Sequence, residues 1–315
     1  MEAIYIISGI TALLAIIILI ISYVCYRMAF RRKGKSDGNQ FFSFEDGTLA
    51  PYADIIRESS EALNAHPSER VFITARDGTR LSGVFYPVPG ADMTEIQFHG
   101  YRSSPEHDFA CGGYEAIRKN HNLLLVNQRA HGQSGGKSIS FGINERYDVL
   151  DWVDYLNRKL GTDVDVMLFG ISMGAATVLM ASELTLPENV RLAVADCPYS
   201  SPEEIIRSVI RSMHLPPSVA FPFVRLGGLV FGGFDICSAS PIDAVKRTKL
   251  PILLIHGEDD GFVPCEMSRR IYENISSEKR KIVTFPAADH GTSFLVDRER
   301  YLGEVKSFTE ESKRR

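Results

Sequence analysis

Gly170-Ile171-Ser172-Met173-Gly174 is the segment whose residue types and spacing speak most directly of chemistry. A strand-like apolar run, Val164 to Phe169, precedes it, and the small residues Ala175, Ala176 and Thr177 follow as a helix start. Where a chain turns that tightly from strand to helix, side chains two positions either side of the serine collide, which is why both are glycine. The turn would set the Ser172 hydroxyl at the carboxyl end of a sheet. The main-chain N–H of Met173, at the helix start, would meet any negative charge that develops there. A functionless Gly-rich turn is the alternative, and the strand-turn-helix context argues against it.

A serine hydroxyl is a poor nucleophile until a base takes its proton, and the base in turn needs a carboxylate to orient it. Downstream of Ser172 stand His214, His256 and His290. His214 falls in an apolar insertion, and His256 ends the apolar run Pro251 to Ile255, where a turn role suits it. His290 lies in Ala288-Asp289-His290-Gly291, just after the strand-like Lys281 to Phe285, and a loop at a strand's carboxyl end is where the base belongs. For the acid, Glu258, Asp259 and Asp260 compete in another such loop, and Asp196, at the end of Leu192 to Ala195, is an outside candidate that could instead bond loop main chain.

The run His256-Gly257-Glu258-Asp259-Asp260-Gly261-Phe262-Val263-Pro264 resembles the H-G-x-x-D-x-x-V-P signature of α/β-hydrolase esterases and related serine hydrolases. That resemblance implies Asp260 as the acid, with Asp259 a solvated loop charge. Phe98-His99-Gly100-Tyr101 is similar to the family's oxyanion turn, implying that the Tyr101 N–H joins that of Met173 and that His99 is structural. Asn127 to Ser134 resembles the family's D-x-R-G-H-G-x-S segment, with Asn127 and Ala130 as departures. The resemblance spans roughly Arg70 to Phe308 as five ordered segments. It implies an α/β fold of the α/β-hydrolase type: a mostly parallel central sheet with helices on both faces, an inserted helical lid, and a triad of Ser172, Asp260 and His290.

The elements needed to position these residues are legible on their own. Alternation at Val71 and Ile73, the pair Asp77-Gly78, and then Leu81, Val84 and Phe85 predict a β-hairpin. Short apolar runs follow at Glu95 to Phe98, Leu123 to Asn127, Val164 to Phe169, Leu192 to Ala195, Ile252 to Ile255 and Lys281 to Phe285. Val149, Leu150, Val153, Leu156 and Leu160 recur at helical spacing between two of them, as in a crossover of a parallel sheet. From Pro198 to about Lys249 the rhythm breaks. There Phe221, Phe223, Leu229, Phe231 and Phe234 crowd a segment too apolar for an exposed loop. Either they are plain core, or they line an acyl pocket above Ser172, with the glycine pairs Gly227-Gly228 and Gly232-Gly233 letting a lid move. Tyr301, Leu302, Val305 and Phe308 predict a last helix docked on the sheet.

Residues 1–30 form a separate expectation. Ile4 to about Tyr26 carries no charge, and roughly 20 apolar residues at a 1.5 Å rise match a hydrocarbon core of about 30 Å. Tyr23-Val24-Cys25-Tyr26 offers no small-residue cleavage pattern, which favours a retained transmembrane anchor over a cleaved signal. Glu2 precedes the span, whereas Arg27, Arg31, Arg32, Lys33 and Lys35 follow it, so a cell-membrane, single-pass topology with a cytoplasmic catalytic domain is expected. Residues 31–69 read as a basic linker and leading helix, and residues 70–315 as the hydrolase domain. Five cysteines without C-x-x-C spacing fit that reducing placement.

A net charge of -4, from 35 basic and 39 acidic residues, gives no reason to expect nucleic acid as a partner. No metal-ligand cluster, Walker loop or dinucleotide fingerprint appears in the sequence, so no cofactor and no metal are implied. The expected activity is hydrolysis of a carboxylic ester or thioester on a small-molecule acyl substrate. A peptidase or amidase on the same triad, or a catalytically silent membrane-bound binding module, are the alternatives.

Overall fold

The structure, a computed structural model, describes residues 1–32 and 47–313. The expected linker from Arg31 to Gln40 lies outside the described residues beyond Arg32, as do Lys33 and Lys35 of the basic flank. Eight strands form one sheet in the order β1-β2-β4-β3-β5-β6-β7-β8. The hairpin strands β1 (Glu69–Thr74) and β2 (Arg80–Tyr86) pair antiparallel, and β2 pairs antiparallel with β4 (Asn122–Asn127). From there β3 (Met93–Phe98), β5 (Asp165–Ile171), β6 (Val190–Asp196), β7 (Ile252–Gly257) and β8 (Arg280–Phe285) run parallel. Each expected apolar run is a strand of this sheet.

Parallel strands need long crossovers, and helices supply them. Helices α1 (Glu2–Ala29) and α2 (Ala53–Asn64) precede the sheet, and α3 (Pro105–Asp108) and α4 (Ala110–Arg118) join β3 to β4. The helices α5 (Glu145–Leu160) and α6 (Met173–Ala181) flank β5. Between β6 and β7 are inserted α7 (Pro202–Ser212), α8 (Pro217–Gly227), a π-turn at Gly228–Gly232, and α9 (Pro241–Ala244). Helix α10 (Glu266–Asn274) precedes β8, and α11 (Ser293–Val296) and α12 (Arg298–Ser312) close the chain.

Strand alternation shares each apolar run between two faces. Leu124 and Val126 of β4 pack with Val149, Trp152, Val153 and Leu156 of α5. Leu123 and Leu125 face the other way, in the cluster that holds Ala116 and Ile117 of α4 and Tyr301, Val305 and Phe308 of α12. A third cluster holds Met173, Phe141, Tyr199, Phe221 and Phe234 together with Tyr26 and Phe30 from the chain's beginning.

Helix α1 therefore belongs to two environments. It is long and apolar enough to cross a membrane, and Ile4, Leu13, Leu14 and Ile20 are exposed along it. Ser22, Tyr26 and Phe30 are buried. The Phe30 ring stands edge-on to those of Phe141 (5.9 Å) and Phe234 (5.1 Å), the Phe30 carbonyl accepts from the Ile139 N–H at 2.7 Å, and Tyr26 Oη is 2.8 Å from Ser138 Oγ. Gly227 shows how close α8 comes: a Cβ there would stand 2.4 Å from the Ser22 carbonyl oxygen. Its place in the segment follows from this helix contact, so a hinge is not needed to account for it.

Candidate active site

Ser172 occupies the turn between β5 and α6 with φ 54° and ψ -113°, a backbone conformation uncommon for a residue with a side chain. Sterics enforce the flanking glycines. A Cβ at Gly170 would lie 2.3 Å from the Gly174 carbonyl carbon, and one at Gly174 only 1.7 Å from the Phe98 carbonyl oxygen. The second contact locks α6 onto the end of β3, so the Ser172 turn and the loop that follows β3 are held as one unit.

Three side chains from three loops meet there. The Ser172 hydroxyl donates to His290 Nε2 at 3.0 Å, and His290 Nδ1–H donates to Asp260 Oδ2 at 2.7 Å. Asp260 Oδ1 accepts the N–H groups of Phe262 (2.9 Å) and Val263 (2.7 Å). Asp260 is buried and Asp259 exposed. Asp196 is turned elsewhere: its Oδ2 accepts from the Tyr301 hydroxyl at 2.9 Å. Of the acids in contention, Asp260 is the one bonded to His290.

Burial works against a charged Asp260, yet hydrogen bonds from His256 and His290 and the Val263 N–H outweigh it and hold the carboxyl well below the usual carboxylate range. His256 is thus more than a turn residue. Its Nε2–H is shared between the Val263 carbonyl (2.8 Å) and Asp260 Oδ2 (3.2 Å), while Nδ1 accepts from the Ser268 hydroxyl at 2.6 Å. Asp289 ties the Asp260 and His290 loops together, its Oδ1 accepting from the N–H of His290 (2.7 Å) and of Gly261 (3.1 Å). Neither role has a signal in sequence spacing, since both depend on how the loops after β7 and β8 lie side by side.

The loop after β3 runs past Ser172. A Cβ built on Gly100 would be 3.5 Å from Ser172 Cβ. Among the described residues, the N–H groups of Tyr101 and Met173 have no hydrogen-bonded acceptor. The loop is fixed from several sides. Gly100 N–H donates to Asp108 at 2.6 Å, Arg102 N–H donates to His131 Nε2 at 3.0 Å, and the Tyr101 hydroxyl donates to the Ala29 carbonyl of α1 at 2.7 Å. His99 is structural: Nδ1–H donates to the Gly100 carbonyl (2.8 Å) and Nε2 accepts the Gln128 N–H (3.1 Å). Burial lowers His99 and, more strongly, His131, which keeps both rings neutral and able to accept.

The aromatic residues of the insertion divide. Phe221 and Phe234 are buried in the cluster that contains Met173, the former beneath the Arg207 guanidinium at 4.1 Å. Phe223 is half-buried, and Leu229 and Phe231 are exposed, with the Phe231 ring 5.0 Å from that of Tyr23 in α1. Sequence reasoning also missed Phe262, exposed with its ring 5.2 Å from the His290 imidazole. Metal-ligand atoms of Cys197, Asp260 and His290 lie within 4.8 Å of one another. Both nitrogens of His290 are engaged, and burial pushes the Cys197 thiol well up, so this set is a poor cation ligand. A cavity of about 450 Å³ lined by Leu186, Arg191, Lys249 and Ser312 lies at the opposite, amino end of β6 and β7.

Solved structures share this architecture. The Pyrococcus furiosus esterase Pf2001 superposes with a TM-score of 0.66 at 25% identity, covering 80% of this chain and 93% of that one. The chain is an α/β-hydrolase by fold. Among sequences, this α/β-hydrolase is 29% identical over 192 residues to the uncharacterized protein YqkD of Bacillus subtilis, a match spanning 59% of the chain and 61% of that relative's length. It is 27% identical over 235 residues to the uncharacterized protein YfhR of Escherichia coli K12, covering 72% of this chain and 75% of the other. No protein-family model matches the chain.

Proposed function

We propose that this α/β-hydrolase is a membrane-anchored serine esterase that cleaves carboxylic esters through an acyl-enzyme on Ser172. The hydrogen-bonded relay from Ser172 through His290 to Asp260 carries the reading. Ser172 Oγ attacks the acyl carbon while its proton passes to His290 Nε2. Asp260 holds the ring with Nδ1 protonated, so that Nε2 faces the serine, and its negative charge balances the imidazolium that forms. The developing oxyanion takes hydrogen bonds from the Met173 and Tyr101 N–H groups; each such donor is worth about 3 to 4 kcal/mol in systems of this kind. Collapse expels the alkoxide, which takes the proton from His290. Water, deprotonated by the same nitrogen, then attacks the acyl-serine, and the second collapse frees the carboxylic acid and restores the serine.

The likeness to an esterase favours the ester over the amide bond, and α1, the one helix among the described residues long and apolar enough to cross a membrane, with basic residues following it, favours a cytoplasmic domain held at the cell membrane. A series of p-nitrophenyl esters of increasing chain length, run beside aminoacyl anilides, tests the reading. Ester turnover that vanishes in Ser172→Ala supports it, and anilide turnover exceeding that of every ester would replace it with an amidase.

A further inference from the structure

Helix α8 and the π-turn after it are apolar except at Ser218 and Arg225. The inner side, Phe221, Val224, Gly227 and Gly228, is buried against the hydrolase core and α1. On the outer side Val219, Pro222, Phe223, Leu226, Leu229 and Val230 recur at i, i+3, i+4, i+7, i+10 and i+11, the spacing of one helical stripe. Val219, Leu229 and Val230 are 59%, 46% and 52% exposed. A helix apolar on its inner and its outer side belongs in an apolar surrounding, and among the described residues Val219, Leu229 and Val230 of the outer stripe are left uncovered. Arg225, the charged residue of α8, falls outside this stripe and is paired with Asp235 at 2.7 Å.

The stripe is continuous with α1. Tyr23 of α1 stacks edge-on against Phe231 at 5.0 Å, and Tyr26 lies 6.0 Å from the same ring. Ala15 is the midpoint of the uncharged stretch from Ile4 to Tyr26, with Leu14 beside it. Eight residues at a 1.5 Å rise place Tyr23 about 12 Å from that midpoint. The half-thickness of a hydrocarbon core is about 15 Å. Tyr23, and Phe231 with it, therefore fall at the edge of the hydrocarbon, where aromatic residues concentrate, and Arg27 and Arg31 follow at headgroup level.

We propose that the outer stripe of α8 and its π-turn is a second membrane contact: it lies along the phospholipid interface beside α1, embedding Val219, Leu229, Val230 and Phe231. This inference rests on reading α1 as a membrane span. It holds the insertion, and so the approach to Ser172, at the bilayer surface, and points to esters carried in that membrane rather than freely dissolved ones.

The single tryptophan, Trp152, is on the buried side of α5 and serves as a silent background. Full-length Val230→Trp and, separately, Leu14→Trp are reconstituted in phosphatidylcholine vesicles with or without bromine on the acyl chains, which quenches tryptophan on contact. Leu229→Trp replaces Val230→Trp if the latter fails to fold. Both probes losing most of their emission, with the wild-type chain unaffected, is the expected result. Quenching at Leu14 with unchanged emission at Val230 would overturn the interfacial contact and leave the span intact. Quenching at Val230 alone would remove the span and with it the placement beside α1 on which the proposal rests, and quenching at neither would remove both.

Discussion

Phe30→Ala asks whether the apolar N-terminal helix and the hydrolase are one body. Phe30 has no exposed surface, sits edge-on to Phe141 and Phe234, and shares a cluster with Met173 beside the nucleophile. Truncating a buried phenylalanine costs about 3 to 5 kcal/mol. At roughly 2 °C per kcal/mol for a domain of this size, the melting temperature should fall by about 6 to 10 °C. The fluorescence of Trp152, buried in the α5 face of the hydrolase, reports the unfolding of the detergent-solubilised full chain without a signal from the span. Leu14→Ala, on the exposed part of α1, should leave the transition where it is. An unchanged melting temperature in Phe30→Ala would show that the end of α1 does not pack in the core, and the tether from Tyr101 to Ala29 would lose its meaning with it. A chain cut to begin near Gln40 loses Tyr26, Phe30 and the Ala29 carbonyl together, and is expected to melt lower still.

Other outcomes follow from the site. Asp260→Asn should lower kcat about 10⁴-fold by releasing the His290 tautomer, while Asp259→Asn, exposed beside it, leaves turnover unchanged; the reverse pattern in a steady-state ester assay would move the acid to Asp259. Tyr101→Phe keeps the main-chain N–H but loses the hydrogen bond to Ala29, so about 1 kcal/mol of stability should go while covalent labelling of Ser172 persists. Asp196 gives a pH signature. Burial, only partly offset by the Tyr301 hydroxyl, raises its carboxyl from 3.8 to about 6. The folded state then holds that proton more tightly than the unfolded one, so its contribution is present below about 4, is lost as pH rises toward 6, and levels off above. The loss is of the order of 3 kcal/mol. The melting temperature of Asp196→Asn relative to wild type should accordingly climb between pH 4 and pH 7, and a pH-independent difference would refute the shift.

Much of this was written in local pattern. The strands announce themselves because each is a short apolar run closed by turn residues, and the two glycines around Ser172 are demanded by atoms a few residues away or at the end of the neighbouring strand. His290 and Asp260 could be placed because each follows a recognisable strand. His256, Asp289 and Asp108 could not, because their partners sit on other loops whose alignment only the sheet creates. The same holds for α1. Tyr26 and Phe30 look in sequence like the tail of an apolar span, and only the packing of α1 on α8 shows that its last turns belong to the enzyme. Gly227 is legible as a glycine but not as the point where Ser22 passes, since two segments so far apart in sequence share no periodicity.

The central claim, that Ser172 is the nucleophile activated through His290, is tested most directly by mapping where a fluorophosphonate attaches to the full-length protein. Peptide mass analysis should find the adduct on Ser172, with labelling lost in Ser172→Ala and slowed by orders of magnitude in His290→Ala, each with an unchanged melting transition. A folded protein that takes up no label, or carries it on another residue, would contradict the account.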